Sequence, residues 1–356
     1  MTILFLTISA FSRFPTYKRA TGVGAGLATL GHEVYIAVED CDENRNRFPV
    51  EAPGCHPLWV RKSNPLMEAW QKMRLLWNLR PDVLYTTSYS IRNLQWMSFL
   101  FPRRTKYVFE VCELYSSYQA LWKIKERLMM IEADGMVCAS RYLEDSFKRR
   151  LCGMGLKRPI LYLPYAYPPY LKSLKTTTAN AVVHMAYMSR GYGCFAVMEA
   201  FERIREAHPG IVLEMLGAGP DFEEMKQWVA ARQLGNVIHL RGFVAEDELN
   251  DYFSRAQAFT VPMRNAETEW ARCPSKLFYY LPYNKPIITC KVGNPYDILG
   301  ELGYYYEPEN VEDMARAMDR ALRDAANFAY PKGFVESHGW LSRAVAFDKW
   351  AEVNLR

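Results

Sequence analysis

The sequence predicts an α/β protein of two successive Rossmann-like domains, each a parallel β-sheet flanked by helices. Strand-like apolar runs alternate with helical periods almost from end to end, which is the pattern of βαβ units. At 356 residues the chain is too long for one ordinary core and suits two domains of about 150 residues each. The regularity breaks once, at Tyr165-Ala-Tyr-Pro-Pro-Tyr170, and then restarts. Adjacent prolines forbid a continuing helix or central strand, so the interdomain linker is expected there. The first domain is read as 1–165, with a C-terminal helix in 335–356 packing back on it, and the second as 166–334.

In the first half, strands are expected at Ile3–Ile8, Glu33–Val38, Pro57–Val60, Asp82–Thr86, Tyr107–Val111, Gly135–Ala139 and Ile160–Leu163. Helices are expected between them at Leu66–Leu79, Ile91–Leu100, Tyr118–Ile131 and Tyr142–Leu151. After the linker, strands read Val182–Ala186, Ile211–Leu216, Val237–Leu240, Ala258–Pro262 and Pro286–Thr289. Helices read Cys194–Ala207, Phe222–Gln233, Glu246–Ala256, Ser275–Tyr283, Pro295–Leu302, Val311–Ala326 and Val335–Val353. Open parallel sheets bind ligands beyond the carboxyl ends of their strands, so function is sought in the strand-to-helix loops.

Composition narrows the class. Half the residues are apolar and 23% are charged, the balance of a soluble globular protein. No apolar run approaches the roughly 18 residues of a membrane span. The first eight residues lack a basic stretch and run straight into a strand, so no signal peptide is expected. Eight cysteines without a C-x-x-C pair read as reduced thiols of a cytoplasmic protein. Residues 1–165 carry 23 Lys/Arg against 15 Asp/Glu, a balance of +8, and the remainder is −3. This asymmetry is either ordinary surface drift or the mark of an anionic membrane or acidic acceptor facing the first half. The six histidines show no metal spacing and no Asp-x-Asp ends a strand, so neither a metal nor a nucleic-acid partner is expected.

Pro274-Ser-Lys276 is the most informative segment. Proline favours a helix's first turn, which puts Ser275 and Lys276 at an amino terminus where free N–H groups attract anions. A lysine is unfavourable there unless an anion lies nearby, and a nucleotide diphosphate would supply one. The plainer reading sends Lys276 to solvent, Glu267 or Glu269. Ser189-Arg-Gly-Tyr-Gly193 follows the second domain's first strand; Arg190 can grip phosphate oxygens, or be an ordinary loop arginine. Fixed cations at Arg190 and Lys276 could offset charge on a departing nucleotide without a metal. Gly217-Ala-Gly219 permits close backbone approach to a ligand. Glu110 and Glu113 end a first-domain strand, as helix caps and ion-pair partners or as a general base on an acceptor hydroxyl. The Leu66/Trp70/Met73/Trp77 stripe, beside Lys72, Arg74 and Arg80, faces either the core or an anionic membrane. Trp122-Lys-Ile-Lys-Glu-Arg-Leu128 admits the same two readings.

Several segments resemble the family 4 (group 1) glycosyltransferases, in family order. They are Gly31-His-Glu-Val34, Arg80-Pro-Asp-Val-Leu84 and Ala133-Asp-Gly-Met-Val137 with Ser140. Leu216-Gly-Ala-Gly-Pro220, Asn236-Val-Ile-His-Leu-Arg-Gly242, and Pro274-Ser-Lys-Leu-Phe278 with Lys285-Pro-Ile-Ile288 follow. Trp340 and the last helix resemble the tail that crosses back to the first domain. The resemblance implies a GT-B fold with two Rossmann-like domains facing across a cleft. It implies a nucleotide-sugar donor held by the second domain and an acceptor held by the first. It also implies that the backbone of Gly242-Phe243-Val244 reads the base, where the plainer reading is a strand exit with Phe243 in the core, and it selects Glu113 over Glu110 as the acceptor-side acid. Yet the family's paired glutamates fall at Ala271 and Tyr279, and its Gly-Gly is missing from the first loop, Ala10–Arg19. The second glutamate holds the donor ribose in the family, so this chain must recognise ribose differently. Tyr279 and Glu269 are included among the donor-side candidates.

The expected function is therefore transfer of a sugar, with UDP-sugar the leading donor, to a glycan, lipid-linked or small-molecule acceptor without a metal or other cofactor. Retention and inversion are both open. A nucleotide-sugar epimerase and a non-catalytic sugar-nucleotide binder are the alternatives.

Overall fold

The computed structural model describes residues 1–7, 15–48, 54–87, 90–114, 120–171 and 179–355. The chain clusters into two compact units. Unit 1 comprises Met1–Ala166, Ala271–Cys273 and His338–Arg356; unit 2 comprises Tyr167–Trp270 and Pro274–Ser337. Of the expected first loop, residues 10–14 lie outside the described residues and 15–19 belong to the first helix.

Unit 1 runs β1 (Thr2–Leu6), α1 (Pro15–Thr29), β2 (Glu33–Glu39), α2 (Asp42–Arg47), β3 (Cys55–Val60), α3 (Pro65–Leu79) and β4 (Val83–Thr86). It continues with β5 (Lys106–Val111), α4 (Ala120–Glu132), β6 (Gly135–Cys138), α5 (Arg141–Gly153) and β7 (Ile160–Tyr162). Its seven strands are parallel, in the order β3-β2-β1-β4-β5-β6-β7. Their apolar runs are buried because helices cover both faces, as parallel sheets require.

Unit 2 runs β8 (Ala181–Met185), α6 (Cys194–Ile204), β9 (Val212–Leu216), α7 (Phe222–Ala231), β10 (Ile238–Gly242), α8 (Leu249–Ser254) and β11 (Ala256–Val261). Then come α9 (Glu267–Ala271), α10 (Ser275–Tyr280), β12 (Ile287–Thr289), α11 (Asn294–Leu299), β13 (Tyr304–Tyr305) and α12 (Val311–Asp324). Six parallel strands stand in the order β10-β9-β8-β11-β12-β13. Counted within the unit this is the doubly wound order 3-2-1-4-5-6, and the first six strands of unit 1 follow it too. The order reverses between β1 and β4 in unit 1 and between β8 and β11 in unit 2. A ligand crevice opens at such a reversal.

The last helix, α13 (Trp340–Asn354), packs on α1 within unit 1. Here the glycines inside α1 find their reason. A Cβ on Gly22 would stand 2.4 Å from the Trp340 ring, and one on Gly26 would stand 2.6 Å from Ala344 Cβ. The two helices approach closely because those side chains are missing.

Local chemistry sets the helix ends. Asn64 caps α3 by accepting from Met67 N at 2.9 Å, and Pro65 occupies the first turn. Ser140 caps α5 by accepting from Leu143 N at 3.2 Å while donating to Ala271 O at 2.7 Å. That second bond, with Tyr165 N to Cys273 Sγ at 3.2 Å, ties 271–273 into unit 1.

Several expectations change. The helix expected at Ile91–Leu100 is two 3-10 turns, Ile91–Asn93 and Ser98–Leu100. Leu94 and Trp96 between them have φ of 64° and 65°, which no continuous α-helix accepts. The last helix starts at Trp340 instead of Val335, behind a 3-10 turn at Glu336–His338. The short elements α2, α9 and β13 were not anticipated. The helix expected from Tyr118 begins at Ala120, with 118–119 outside the described residues.

The Leu66/Trp70/Met73/Trp77 stripe splits. Met73 is buried, but Leu66 and Trp70 are each 66% exposed and Trp77 is 47% exposed. A wholly core-facing stripe is therefore ruled out. Lys72, beside the stripe in sequence, points inward to Thr7 O at 2.9 Å, Glu68 Oε1 at 2.9 Å and Asn93 Oδ1 at 2.8 Å. Burial lowers its pKa to about 8, with Glu68 pulling it back up. The side chain of Trp122 lies outside the described residues. No helix among the described residues is long and apolar enough to cross a membrane.

Candidate functional site

The reversal between β8 and β11 brings His184 and Thr260 together near the carboxyl ends of these strands. His184 Nδ1 lies 2.8 Å from Thr260 Oγ1, and its Nε2 lies 3.6 Å from Cys194 Sγ at the start of α6. The imidazole is fully buried. Burial, then the positive charge of Lys276, pushes its pKa well below the usual value, so it is neutral. Cys194 is raised by burial, with Lys276 pulling it down. Lys276 is thus near enough for its charge to act on both His184 and Cys194.

Lys276 is the second residue of α10, after Pro274 and Ser275, and is 8% exposed. Pro274 occupies the N-cap with extended backbone, so the first-turn geometry read from the sequence holds to within a residue. Ser275 is half-buried at the first helical position. Glu269 is buried in α9 and stands 3.7 Å from Arg264 Nη2.

Arg190 opens the 3-10 turn Arg190–Tyr192 in the loop after β8. Its backbone N donates to Asp221 Oδ2 at 2.7 Å, its guanidinium pairs with Glu224, and it lies 4.0 Å over the Phe195 ring. The side chain is exposed and turned onto α7. A cavity of about 180 Å³ lies against Arg190, Gly193, Pro262 and Met263.

The two loop glycines serve the chain itself. A Cβ on Gly217 would fall 1.9 Å from Ala186 O, and one on Gly219 would fall 2.3 Å from Met188 O. Gly217 also has φ of 139°. One close backbone approach at Gly217-Ala-Gly219 is made by residues 186–188, so the turn buttresses the loop carrying Arg190, while both glycines stay partly exposed.

At the end of β10, Gly242 has φ of 71° and Phe243 is 81% exposed, so the plain reading of Phe243 as a core residue is overturned. Tyr279, in the place of the family's ribose-holding glutamate, is 5% exposed and donates to Glu246 Oε1 at 3.3 Å. Ala271, in the place of the first glutamate, is buried in the core of unit 1.

In unit 1, Glu110 and Glu113 separate cleanly. Glu110 is 1% exposed and pairs with Arg19. Glu113 reaches solvent, yet the protein beneath it raises its pKa, while the Arg272 guanidinium pulls it down. No group of three metal-ligating side chains occurs among the described residues.

His184, Cys194 and Glu246 were missed in the sequence. A histidine inside a buried strand of unit 2 was the one signal available for the first. A cavity of about 980 Å³ beside β13, lined by Trp270, Lys291, Tyr304, Tyr305, Arg320 and Phe328, includes none of the donor-side candidates. The donor-side candidates Arg190 and Lys276 stand instead in the loop after β8 and at the head of α10, near the reversal between β8 and β11.

Comparison with known proteins places this geometry. Residues 171–332 match the family model described as Glycosyl transferases group 1. The chain resembles sucrose-phosphate synthase from Thermosynechococcus elongatus, with TM-score 0.78 and 15% identity over 99% of this chain and 98% of that one. It resembles Anabaena HepE in complex with UDP and glucose, with TM-score 0.70 and 13% identity over 100% and 97% of the two chains. The pneumococcal O-GlcNAc transferase GtfA in complex with UDP and GlcNAc gives TM-score 0.70 and 9% identity over 100% and 99%. An exopolysaccharide phosphotransferase of Streptomyces coelicolor is 22% identical over 329 residues, which are 89% of this chain. The chain spans about a third of that relative's length, 33%. This chain therefore has the GT-B fold, and its residues 171–332 carry the match to the group 1 glycosyl transferases.

Proposed function

We propose that this chain is a glycosyltransferase that moves a sugar from a UDP-sugar onto a hydroxyl of a glycan or lipid-linked acceptor. The observation that carries this reading is Lys276, a largely buried cation at the head of α10 whose charge reaches His184 at the β8–β11 reversal. An anion docking there gains the Lys276 charge, while neutral His184 adds no repulsion. The group 1 match covers this unit, and HepE and GtfA, of the same fold, hold UDP.

On this reading Lys276 grips the diphosphate and offsets the charge that builds as UDP departs. Arg190 joins it by exchanging Glu224 for phosphate oxygens, a swap its exposed position allows. Because fixed cations carry the charge, no metal ion is called for. Glu113 on unit 1 takes the acceptor hydroxyl's proton or orients that hydroxyl, and its raised pKa suits either task. The exposed Leu66, Trp70 and Trp77 of α3, with Arg74 and Arg80 alongside, form a face suited to an anionic membrane carrying a lipid-linked acceptor.

A second reading, a binder of sugar nucleotides without catalysis, is favoured by Ala271, which leaves the family's first glutamate position without a carboxylate. One experiment tests both: release of UDP from UDP-glucose, UDP-galactose and UDP-N-acetylglucosamine, with and without EDTA. The proposal expects turnover of at least one donor that survives EDTA. Turnover abolished by EDTA overturns the metal-free mechanism. Binding of UDP without turnover, across glycan and lipid-linked acceptors, supports the binder.

A further inference from the structure

We infer that the cavity beside β13 is a binding site for a neutral oligosaccharide, separate from the donor site. It measures about 980 Å³, within the size range of small-molecule sites, and its lining belongs wholly to unit 2. Trp270, Tyr304, Tyr305 and Phe328 in that lining are half-buried aromatics. The fold holds these rings in place by itself. Trp270 Nε1 donates to Asn265 Oδ1 at 3.0 Å, and the Tyr304 hydroxyl donates to Asp324 Oδ2 at 2.9 Å. Phe328 packs edge-on to Tyr330, with ring centroids 5.0 Å apart. The Tyr305 ring folds back over Gly303, where a Cβ would stand 2.5 Å from it, and its hydroxyl donates to Gly300 O. Rings fixed in this way lose little further entropy when a ligand stacks on them.

The charges around the rings select the ligand. Two cations, Lys291 and Arg320, share the lining with four carboxylates, Glu301, Glu307, Asp313 and Asp324. That excess of negative charge disfavours a phosphate, and with it a nucleotide. A cation is disfavoured differently, because Lys291 Nζ already stands 5.4 Å from the Tyr305 centroid and 5.5 Å from that of Tyr296. An extended peptide is not accommodated as an added strand. Tyr306 turns its N–H to Thr289 O, so the Tyr305 carbonyl faces the open edge of the sheet, and there Arg320 Nη2 donates to it at 3.1 Å. What fits is a neutral molecule with an apolar face and a rim of hydroxyls. A sugar ring is such a molecule: its C–H face stacks on an aromatic ring, while its hydroxyls donate to carboxylates and accept from Lys291 and Arg320. Several half-buried rings in one cavity of this size suit a chain of sugar units. The inference does not depend on the UDP reading, since none of these residues is a donor-side candidate.

The test is calorimetric titration of the full chain with maltohexaose, cellohexaose, mannohexaose and chitohexaose, with hexagalacturonate and spermine as charged controls. At least one neutral hexasaccharide should bind, and hexagalacturonate should not. Tyr304→Leu and Phe328→Leu keep apolar bulk but remove the flat face, and each should weaken that binding about fivefold or more. Tyr304→Phe and Phe328→Tyr keep the rings and should retain it, and unchanged melting of all four variants shows that the losses are local. Failure of every neutral hexasaccharide to bind overturns the inference. So does binding of spermine or hexagalacturonate alone, or a hexasaccharide affinity indifferent to both leucine substitutions. UDP titrated into the same proteins reads the donor site separately: all four variants should match wild type. A chain that binds a hexasaccharide but no UDP upholds this site and overturns the nucleotide reading, and the converse result does the opposite.

Discussion

Arg19 donates its Nε–H to Glu110 Oε1 at 2.6 Å, in a pocket that leaves Arg19 2% and Glu110 1% exposed. The same guanidinium donates from Nη2 to Leu163 O at 2.7 Å, so the pair joins α1, β5 and the segment after β7. Three residues on, Glu113 stands in solvent. Two carboxylates that look alike in the sequence therefore have different jobs, one architectural and one available for chemistry.

Glu110→Gln should leave the buried Arg19 charge uncompensated and cost about 3–5 kcal/mol of stability. Glu113→Gln should shift the denaturation midpoint little. The rates should reverse this order, with Glu113→Gln slowing sugar transfer by about 10²–10⁴-fold, as for loss of a general base. Urea unfolding and initial rates on the two proteins check this together. An unfolding midpoint unmoved by Glu110→Gln, or full transfer by Glu113→Gln, contradicts the assignment.

Acid lability should centre on His338. Its Nδ1 accepts from Arg343 Nη2 at 2.8 Å, and burial, then the Arg343 charge, holds its pKa near 4 against 6.5 for a free imidazole. Above pH 6.5 neither the folded nor the unfolded form binds the proton, and His338 has no effect. As pH falls from 6.5 to 4 the unfolded chain takes the proton first, so stability drops, and below 4 the loss levels off. The amount is about 2 kcal/mol, after reducing the full shift for partial exposure. His184, also depressed, acts in the same direction. The stability difference between pH 7.5 and 4.5 should shrink in His338→Gln; an unchanged difference refutes the claim.

Much of this architecture was legible in the sequence because parallel strands announce themselves as short apolar runs, and twelve of them, β1 to β12, needed only their ends adjusted. What failed was short or defined at a distance. β13 is two residues long, and Leu94 and Trp96 adopt left-handed backbone that a helical period does not reveal. Within the site, Lys276 was legible because Pro274 fixes a helix start by local chemistry. The pairing of Glu246 with the Tyr170 and Tyr279 hydroxyls was not, since they lie 76 and 33 residues away. Gly217 and Gly219 were legible as a place of close backbone approach, but not that Ala186 and Met188 make one such approach, since spacing alone does not name the neighbour.

The exposed face of α3 should bind anionic membrane. Leu66, Trp70 and Trp77 lie within one stripe of the helix, with Arg74 beside them. Vesicles of equal parts phosphatidylglycerol and phosphatidylcholine should retain the protein at low salt and release it as salt rises, because exposed charges are screened within about 8 Å at physiological ionic strength. Trp70→Ser with Trp77→Ser should weaken retention severalfold. Failure to bind even purely anionic vesicles at low salt would leave α3 as a face for some other partner.

The central claim is that Lys276 at the head of α10 holds a nucleoside diphosphate, and calorimetric titration of UDP and uridine into wild type and Lys276→Ala tests it most directly. A charge-assisted contact of this kind contributes about 1.5–3 kcal/mol. UDP affinity should therefore fall about tenfold or more in Lys276→Ala, while uridine affinity stays nearly the same. Equal losses for both ligands, or a UDP affinity indifferent to the substitution, would contradict the account.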